Sequence, residues 1–402
     1  MIWREIPYWR LSGFYFFYFA VVGTLSPFFG LYLQHLQFTP AEIGALTAVL
    51  MVTRVIAPNV WGWLSDVSGR RLMVIRTGAL LACLTFGAIF WQQSFWSVAA
   101  VVALFSFFWN AVLAQFEVIT LNHLHGHTHF YSRIRLWGSV GFIVAVLGLG
   151  WLFERAGMGL FPLMLWLFLA LIWLMTLLVY QPPAADSSRE VRQPFSRYLW
   201  RWPVVSFLAS GVLLQFSFGS FYTFYSVYLE ALGYPRFTIG SLWALGVLAE
   251  IVFFLVVHRV LQRFGLRRVM IFALAVTAVR WWLTGCYADL LWLLVVTQLL
   301  HAFSFGAVHA VSIEWVRRFF PGRVQGQGQA LYSALCFGAG GGLGALVSGA
   351  VWEHSPVLAF AISAVAAAGA TLWVWLGVRQ EPQEPQEGKQ AVAGPEAQPQ
   401  QG

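Results

Sequence analysis

Residues Leu31–Leu46 read LYLQHLQFTPAEIGAL, and residues Val227–Leu242 read VYLEALGYPRFTIGSL. Tyr32 falls on Tyr228 and Gly44 on Gly240, each pair 196 residues apart. The same separation carries Gly69 onto Gly265 and Arg71 onto Arg267. Two unrelated segments would not hold one register over that length, so the chain reads as a repeat of two halves. Each copy sits between long apolar stretches, and those stretches decide the class.

Of 402 residues, 59% are hydrophobic and only 10% are charged. A soluble domain carries roughly 25% charged residues, so the composition is that of an integral membrane protein. Helices that cross about 30 Å of hydrocarbon need about 20 residues at 1.5 Å each. Twelve stretches satisfy this, at 11–34, 42–64, 72–91, 95–119, 133–152, 159–180, 203–229, 239–261, 268–287, 290–316, 326–350 and 356–378. They are continuously apolar, which excludes the alternating strands of a membrane barrel. The first is too long for a cleavable signal peptide and is expected to remain as a span. Cys83, Cys286 and Cys336 all fall in apolar stretches and read as small hydrophobes, with neither a disulfide framework nor a metal site.

The net charge of +8 follows a topological pattern. The N-terminal segment and the even-numbered loops hold nearly all the arginines, the odd-numbered loops only Arg155 and Arg236. Basic loops stay cytoplasmic, so both termini are expected there and no nucleic-acid partner is needed to explain the charge. The expected organisation is a six-helix half over 1–180, a cytoplasmic loop over 181–202 with Pro182 and Pro183, a second half over 203–378, and a Glu-, Pro- and Gln-rich disordered tail over 379–402. The fold class is therefore all-α, with twelve transmembrane helices in two pseudo-symmetric six-helix bundles.

Between the second and third spans stands GWLSDVSGRR, with Gly62, Asp66, Gly69, Arg70 and Arg71. A glycine there lets helices approach closely, and a carboxylate can take charge-assisted hydrogen bonds from arginines. The second half has Gln262 in place of Asp66. The motif resembles the loop signature of the major facilitator superfamily. Further stretches, among them YSRIRLWGSVGF (Tyr131–Phe142), GSLWALGVLAEIVFF (Gly240–Phe254) and VRWWLTG (Val279–Gly285), resemble the 3-phenylpropionate transporter family, a relative of the lactose-permease-type proton symporters. The resemblance covers nearly the whole chain before the tail. It implies two bundles that rock about a midplane cavity.

Several ionisable residues lie where lipid should exclude them. A charge at the bilayer centre costs at least about 2.5–3.5 kcal/mol and by default marks a functional site. Glu250 is in the middle of the eighth span, Arg280 in the ninth, and His301 and His309 in the tenth, with Glu314 near its end. Glu250 can carry a proton; the rival reading is a structural ion pair with Arg280 or Arg54. Arg280 offers a planar fork to that acid or to an anionic solute. Histidine titrates near neutral pH and can relay a proton. His309 lies about 80° round an ideal helix from His301, and Glu314 about 220° round. Glu314 should therefore face elsewhere and pair with Arg317 or Arg318. The lactose-permease-type relatives carry a Glu, an Arg and a His on these three spans, which is what the resemblance implies for Glu250, Arg280 and His301.

The first half holds Arg54 inside its second span, Glu117 at the end of its fourth and Arg135 at the start of its fifth. In the resembled family a Glu and an Arg on those spans hold the sugar; the alternative is a gate at the cytoplasmic boundary. The aromatic run FYFFYF (Phe14–Phe19) goes all round a helix and is expected to face mostly lipid. HLHGHTH (His123–His129) reads as a polar loop that could take up Zn²⁺ or Ni²⁺ adventitiously.

Taken together, proton coupling is assigned to Glu250, His301, His309 and Glu314, and solute binding to Arg280, Arg54, Glu117 and Arg135. Gly62, Asp66, Gly69, Arg70 and Arg71 form the gating motif. The expected activity is proton-coupled uptake of a small organic solute, such as an aromatic or phenylpropanoid carboxylate, by a monomer in the cell inner membrane. Alternatives are a sugar or nucleoside symporter, a drug-exporting antiporter, or a transporter-like sensor. No cofactor is expected. An enzyme is disfavoured, since neither a nucleotide-binding P-loop nor a G-x-S-x-G or H-E-x-x-H motif occurs.

Overall fold

The structure, a computed structural model, describes residues 6–124, 129–181 and 195–379. Within them are twelve helices long and apolar enough to cross a membrane: α1 (Tyr8–His35), α2 (Pro40–Ser68), α3 (Arg71–Trp91), α4 (Phe95–His123), α5 (Phe130–Ala156), α6 (Met158–Leu177), α7 (Trp202–Ala231), α8 (Arg236–Phe264), α9 (Leu266–Cys286), α10 (Leu291–Phe319), α11 (Gln325–Trp352) and α12 (Pro356–Gly377). The described residues contain no strand. The chain is a multi-pass membrane protein of twelve spans.

Local chemistry sets the helix ends. Thr39 caps α2 with its side chain on the Glu42 amide, and Glu42 returns a bond to the Thr39 amide at 2.9 Å. That reciprocal box satisfies two amides the helix cannot pair internally. α2 runs four residues past its expected end. Asp66 therefore lies on the helix with Gly62 and not in a loop, and Gly69 closes it in a left-handed conformation at φ 64°. A glycine adopts that conformation without steric cost. Arg71 then ties the turn together, donating to Asp66 at 2.7 Å and to Gln115 of α4 at 2.8 Å. We call the side carrying this turn the motif face. There Arg76 of α3 donates to the carbonyls of Thr176, Leu177 and Val179 at the end of α6. In the second half Arg267 of α9 does the same for Trp375 and Val378 at the end of α12.

In the first half α1 packs on α5 and α6, and α3 packs on α4 and α6. α1 is largely enclosed by protein, so the lipid-facing expectation for Phe14–Phe19 is overturned. Phe14, Tyr15 and Tyr18 are buried, and Phe14 stacks on Phe116 at 3.5 Å. Between the halves α2 packs on α11 and α5 on α8. The repeated glycines stand at these two seams. A Cβ on Gly44 would lie 2.6 Å from the Ala345 carbonyl oxygen, and one on Gly240 would collide with the Val146 carbonyl oxygen. Backbone thus meets backbone on the face opposite the motif. Arg236 bolts the second of these seams. Its amide donates to Glu154 at 2.6 Å and its guanidinium to Glu230 at 2.6 Å and to the Phe153 carbonyl at 2.7 Å.

Candidate functional site

A cavity of about 1210 Å³ lies between the halves. It runs from Thr223 and Trp243, beyond the middle of the spans toward the face opposite the motif, to Tyr131, Ser132 and Arg133 at the start of α5, so it opens on the motif face. The helical repeat of α8 brings Trp243, Val247, Glu250 and Phe254 onto the cavity wall together. Gly246 in the same face leaves room for His301, whose ring would lie 3.5 Å from a Cβ there.

His301 is the centre of the second-half cluster. Its Nε2 lies 3.7 Å from Glu250 Oε2, and its Nδ1 lies 3.1 Å from Arg280 Nη1. A guanidinium can only donate, so Nδ1 accepts. The neutral ring then carries its proton on Nε2, facing Glu250. Arg280 also reaches Gln298 at 3.4 Å, and Gln298 donates to Tyr225 at 2.8 Å. The Arg280 guanidinium lies against the rings of Phe221 at 4.7 Å and Trp281 at 4.4 Å. Arg280 is 0% exposed and does not line the cavity, which corrects its assignment as a direct solute ligand. It also makes no ion pair with Glu250, because His301 stands between them.

α10 is not a uniform α-helix. Residues Ala302–Ala307 form a π segment directly after His301. The wider turn stacks His301 on Phe305 at 5.5 Å and Phe305 on His309 at 5.7 Å, nearly parallel. Both imidazoles border the cavity. Glu314 does not: Arg317 and Arg318 hold it at 2.7 and 2.6 Å, which removes it from the cavity group.

The first half contributes Arg54, Glu117 and Arg135 to the wall, all on the cavity as expected. Glu117 lies six residues inside the end of α4 and not at its terminus. Arg135 stands 3.8 Å from Glu117 and 4.1 Å over the Phe19 ring, and Tyr131 donates to Glu117 at 3.3 Å. Arg54 makes no hydrogen bond or ion pair with any described residue, although it faces the same cavity. Sequence reasoning missed Gln298 and Tyr225, whose polar atoms are signalled only by their place beside Arg280. It also placed His123 in a loop; the residue ends α4, is buried, and bonds the Ile119 carbonyl at 2.9 Å. His125 and His127 lie outside the described residues. Among the described residues no group of three or more His, Cys, Asp or Glu could hold a metal ion.

The chain is 29% identical over 361 residues to the "Probable 3-phenylpropionic acid transporter" of Escherichia coli (strain K12), covering 86% of this chain and 91% of that one. It is 28% identical over 355 residues to the "Maltose permease" of Geobacillus stearothermophilus, covering 85% and 86%. The fold superposes on the crystal structure of nucleoside transporter NupG with a TM-score of 0.76 at 20% identity, covering 93% and 99%. Residues 8–362 match the MFS_1 like family, and with its twelve helices and central cavity the chain belongs to that family of membrane transporters, not to an enzyme family.

Proposed function

We propose that this transporter works by alternating access and couples the uptake of a small organic carboxylate, such as an aromatic or phenylpropanoid acid, to protons. The observation that carries the reading is Glu250: an acid on the cavity wall, 3.7 Å from an imidazole whose other nitrogen is committed to Arg280. Glu250 takes and releases the proton. His301 orients it, and His309 borders the path from the motif face. Arg54 supplies a free cation for the solute carboxylate, and Phe19, Trp109, Phe142 and Tyr222 offer ring surface around it. The relative named for 3-phenylpropionic acid agrees with this pairing of charge and aromatic wall. The excess of arginine on the motif face supports placing that face, and both termini, in the cytoplasm of a cell with the protein in its inner membrane. The two halves rock as bodies on either side of the 181–202 segment. The cavity lies within one chain, which supports a functional monomer.

A neutral sugar or nucleoside is the second reading. Glu117 and Gln298 line the cavity and can bond hydroxyls, and one relative is named a maltose permease. Uptake into proteoliposomes under an imposed pH gradient, screened over aromatic acids, sugars and nucleosides, separates the two. Arg54→Gln sharpens the test. A charge-assisted bond to a carboxylate contributes about 1.5–3 kcal/mol, so an acid solute should lose about tenfold or more in apparent affinity, read as a rise in KM. Unchanged KM for an acid substrate would remove Arg54 from the site. Glu314→Gln, by contrast, should keep proton-driven accumulation within about twofold, because a partly exposed ion pair contributes little. Loss of accumulation in that variant would return Glu314 to the coupling group.

A further inference from the structure

The two copies of the repeated helix begin differently. α2 caps itself, with the Thr39 side chain on the Glu42 amide and the Glu42 side chain on the Thr39 amide. At the same places 196 residues on, α8 has Pro235 and Thr238. Pro235 has no polar side chain and gives α8 no cap of its own. The first backbone bond of α8 runs from the Ile239 amide to the Pro235 carbonyl at 3.0 Å. The amides of residues 236–238 therefore have no partner inside the helix.

One of these amides is met from the other half. Glu154, in the last turn of α5, accepts from the Arg236 amide at 2.6 Å. A carboxylate is disfavoured at the C-terminus of its own helix and favoured at the N-terminus of another, so Glu154 is well placed only while α8 lies against it. The contact is reciprocal, because the Arg236 guanidinium donates to the Phe153 carbonyl near the end of α5 at 2.7 Å. Glu230 of α7, in the same half as Arg236, holds that guanidinium at 2.6 Å. Among the described residues the α2–α11 seam has no such exchange. Pro40 stands where Arg236 does and Ala350 where Glu154 does. There a Cβ on Gly349 would lie 2.7 Å from the Pro40 carbonyl oxygen, so that seam closes by packing.

We propose that Glu154 is a detachable cap, which completes α8 only while the face opposite the motif is shut and so acts as the latch of that face. The inference rests on the alternating access proposed above. When the α5–α8 seam parts, α8 loses its cap and the Phe153 carbonyl loses its guanidinium, while the Arg236–Glu230 pair travels with the second half. α2 keeps its own box in either state. The latch is therefore on one seam only. Loss of a cap changes an equilibrium by about 2–30-fold, and that factor is what Glu154 adds to the closed arrangement over the open one.

The test reads the opening of that face directly. Trp96 and Trp292 hold matching places at the starts of α4 and α10, on that face and in different halves, and both are exposed. Nitroxide labels on Trp96→Cys and Trp292→Cys report the spacing of the halves by double electron–electron resonance, in a chain with Cys286→Ser because Cys83 and Cys336 are already buried. Gly240→Leu, whose side chain would collide with the Val146 carbonyl oxygen, marks the long distance of the open state. Glu154→Ala should raise the ratio of long to short distances by about 2–30-fold. Pro235→Thr with Thr238→Glu gives α8 the box of α2. In that background the amides no longer depend on Glu154, so Glu154→Ala should change the ratio by less than about twofold. A ratio unmoved by Glu154→Ala in the original chain, or moved equally with and without the box, would overturn the latch. If Gly240→Leu and every other variant show the short distance alone, the alternating-access reading itself fails, and the latch with it.

Discussion

Replacing Glu250 by Gln is expected to abolish accumulation driven by a proton gradient while leaving solute exchange measurable. Gln has the volume of Glu and resembles its protonated form. It still meets His301 across a 3.7 Å gap, so the Arg280–His301–Gln298 cluster behind it should keep its geometry. A loaded carrier that stays neutral at this position can shuttle solute both ways. A coupled cycle requires in addition that the empty carrier return without its proton, and an amide cannot make that change. With one proton per solute, a one-unit pH gradient supports at most about tenfold accumulation. The variant should therefore show no accumulation above the outside concentration, while counterflow continues. Accumulation that survives in Glu250→Gln would show that another group carries the proton.

The second large effect is mechanical. At Gly240 any side chain collides with the Val146 carbonyl oxygen, a backbone atom that cannot step aside as a side chain could. Gly240→Leu should therefore keep the face opposite the motif from sealing. Overpacking of this kind costs about 1–3 kcal/mol, and a bias of that size in a two-state equilibrium is worth about 5–150-fold. Net transport should fall by about that factor. A cysteine placed at Phe237, beside the seam, should become reactive to an impermeant maleimide from the outside. The α2–α11 seam lacks this substitution, so the bundles themselves should stay folded, which thermal unfolding in detergent would verify. A variant that transports at half the original rate or more would mean that the carrier never passes through this closed arrangement.

Much of this was legible in the sequence because the bilayer leaves few choices. Twelve apolar stretches of membrane length had to become helices, and the repeated Tyr32/Tyr228 and Gly44/Gly240 pairs related the halves before any contact was known. Glu250, His301, His309, Arg54, Glu117 and Arg135 could be singled out because each is too polar for lipid, and all of them border the cavity. The part that was hidden depends on what stands behind the first layer of side chains. Arg280 has the same hydropathy whether it lines a cavity or is buried against Phe221 and Trp281, and only packing decides. Asp66 was placed in a loop because nothing in a polar run marks whether the last turn of a helix includes it; the left-handed Gly69 fixes that boundary three residues later. Phe14–Phe19 misled for the opposite reason, since an aromatic helix enclosed by other helices and one enclosed by lipid have the same composition.

The π turn in α10 bears on the register of the repeat as well as on shape. α4 begins at Phe95 and α10 at Leu291, the same 196-residue spacing that relates Gly44 to Gly240. A π turn takes up one residue more than an α turn, so beyond Ala307 the counterpart of a first-half position lies 197 residues on. By that count Glu117 is duplicated not in Ile313 but in Glu314. The two acids thus hold matching places in the repeat but have different partners. Glu117 stands at the cavity with Arg135 and Tyr131; Glu314, beyond the π turn, is held by Arg317 and Arg318.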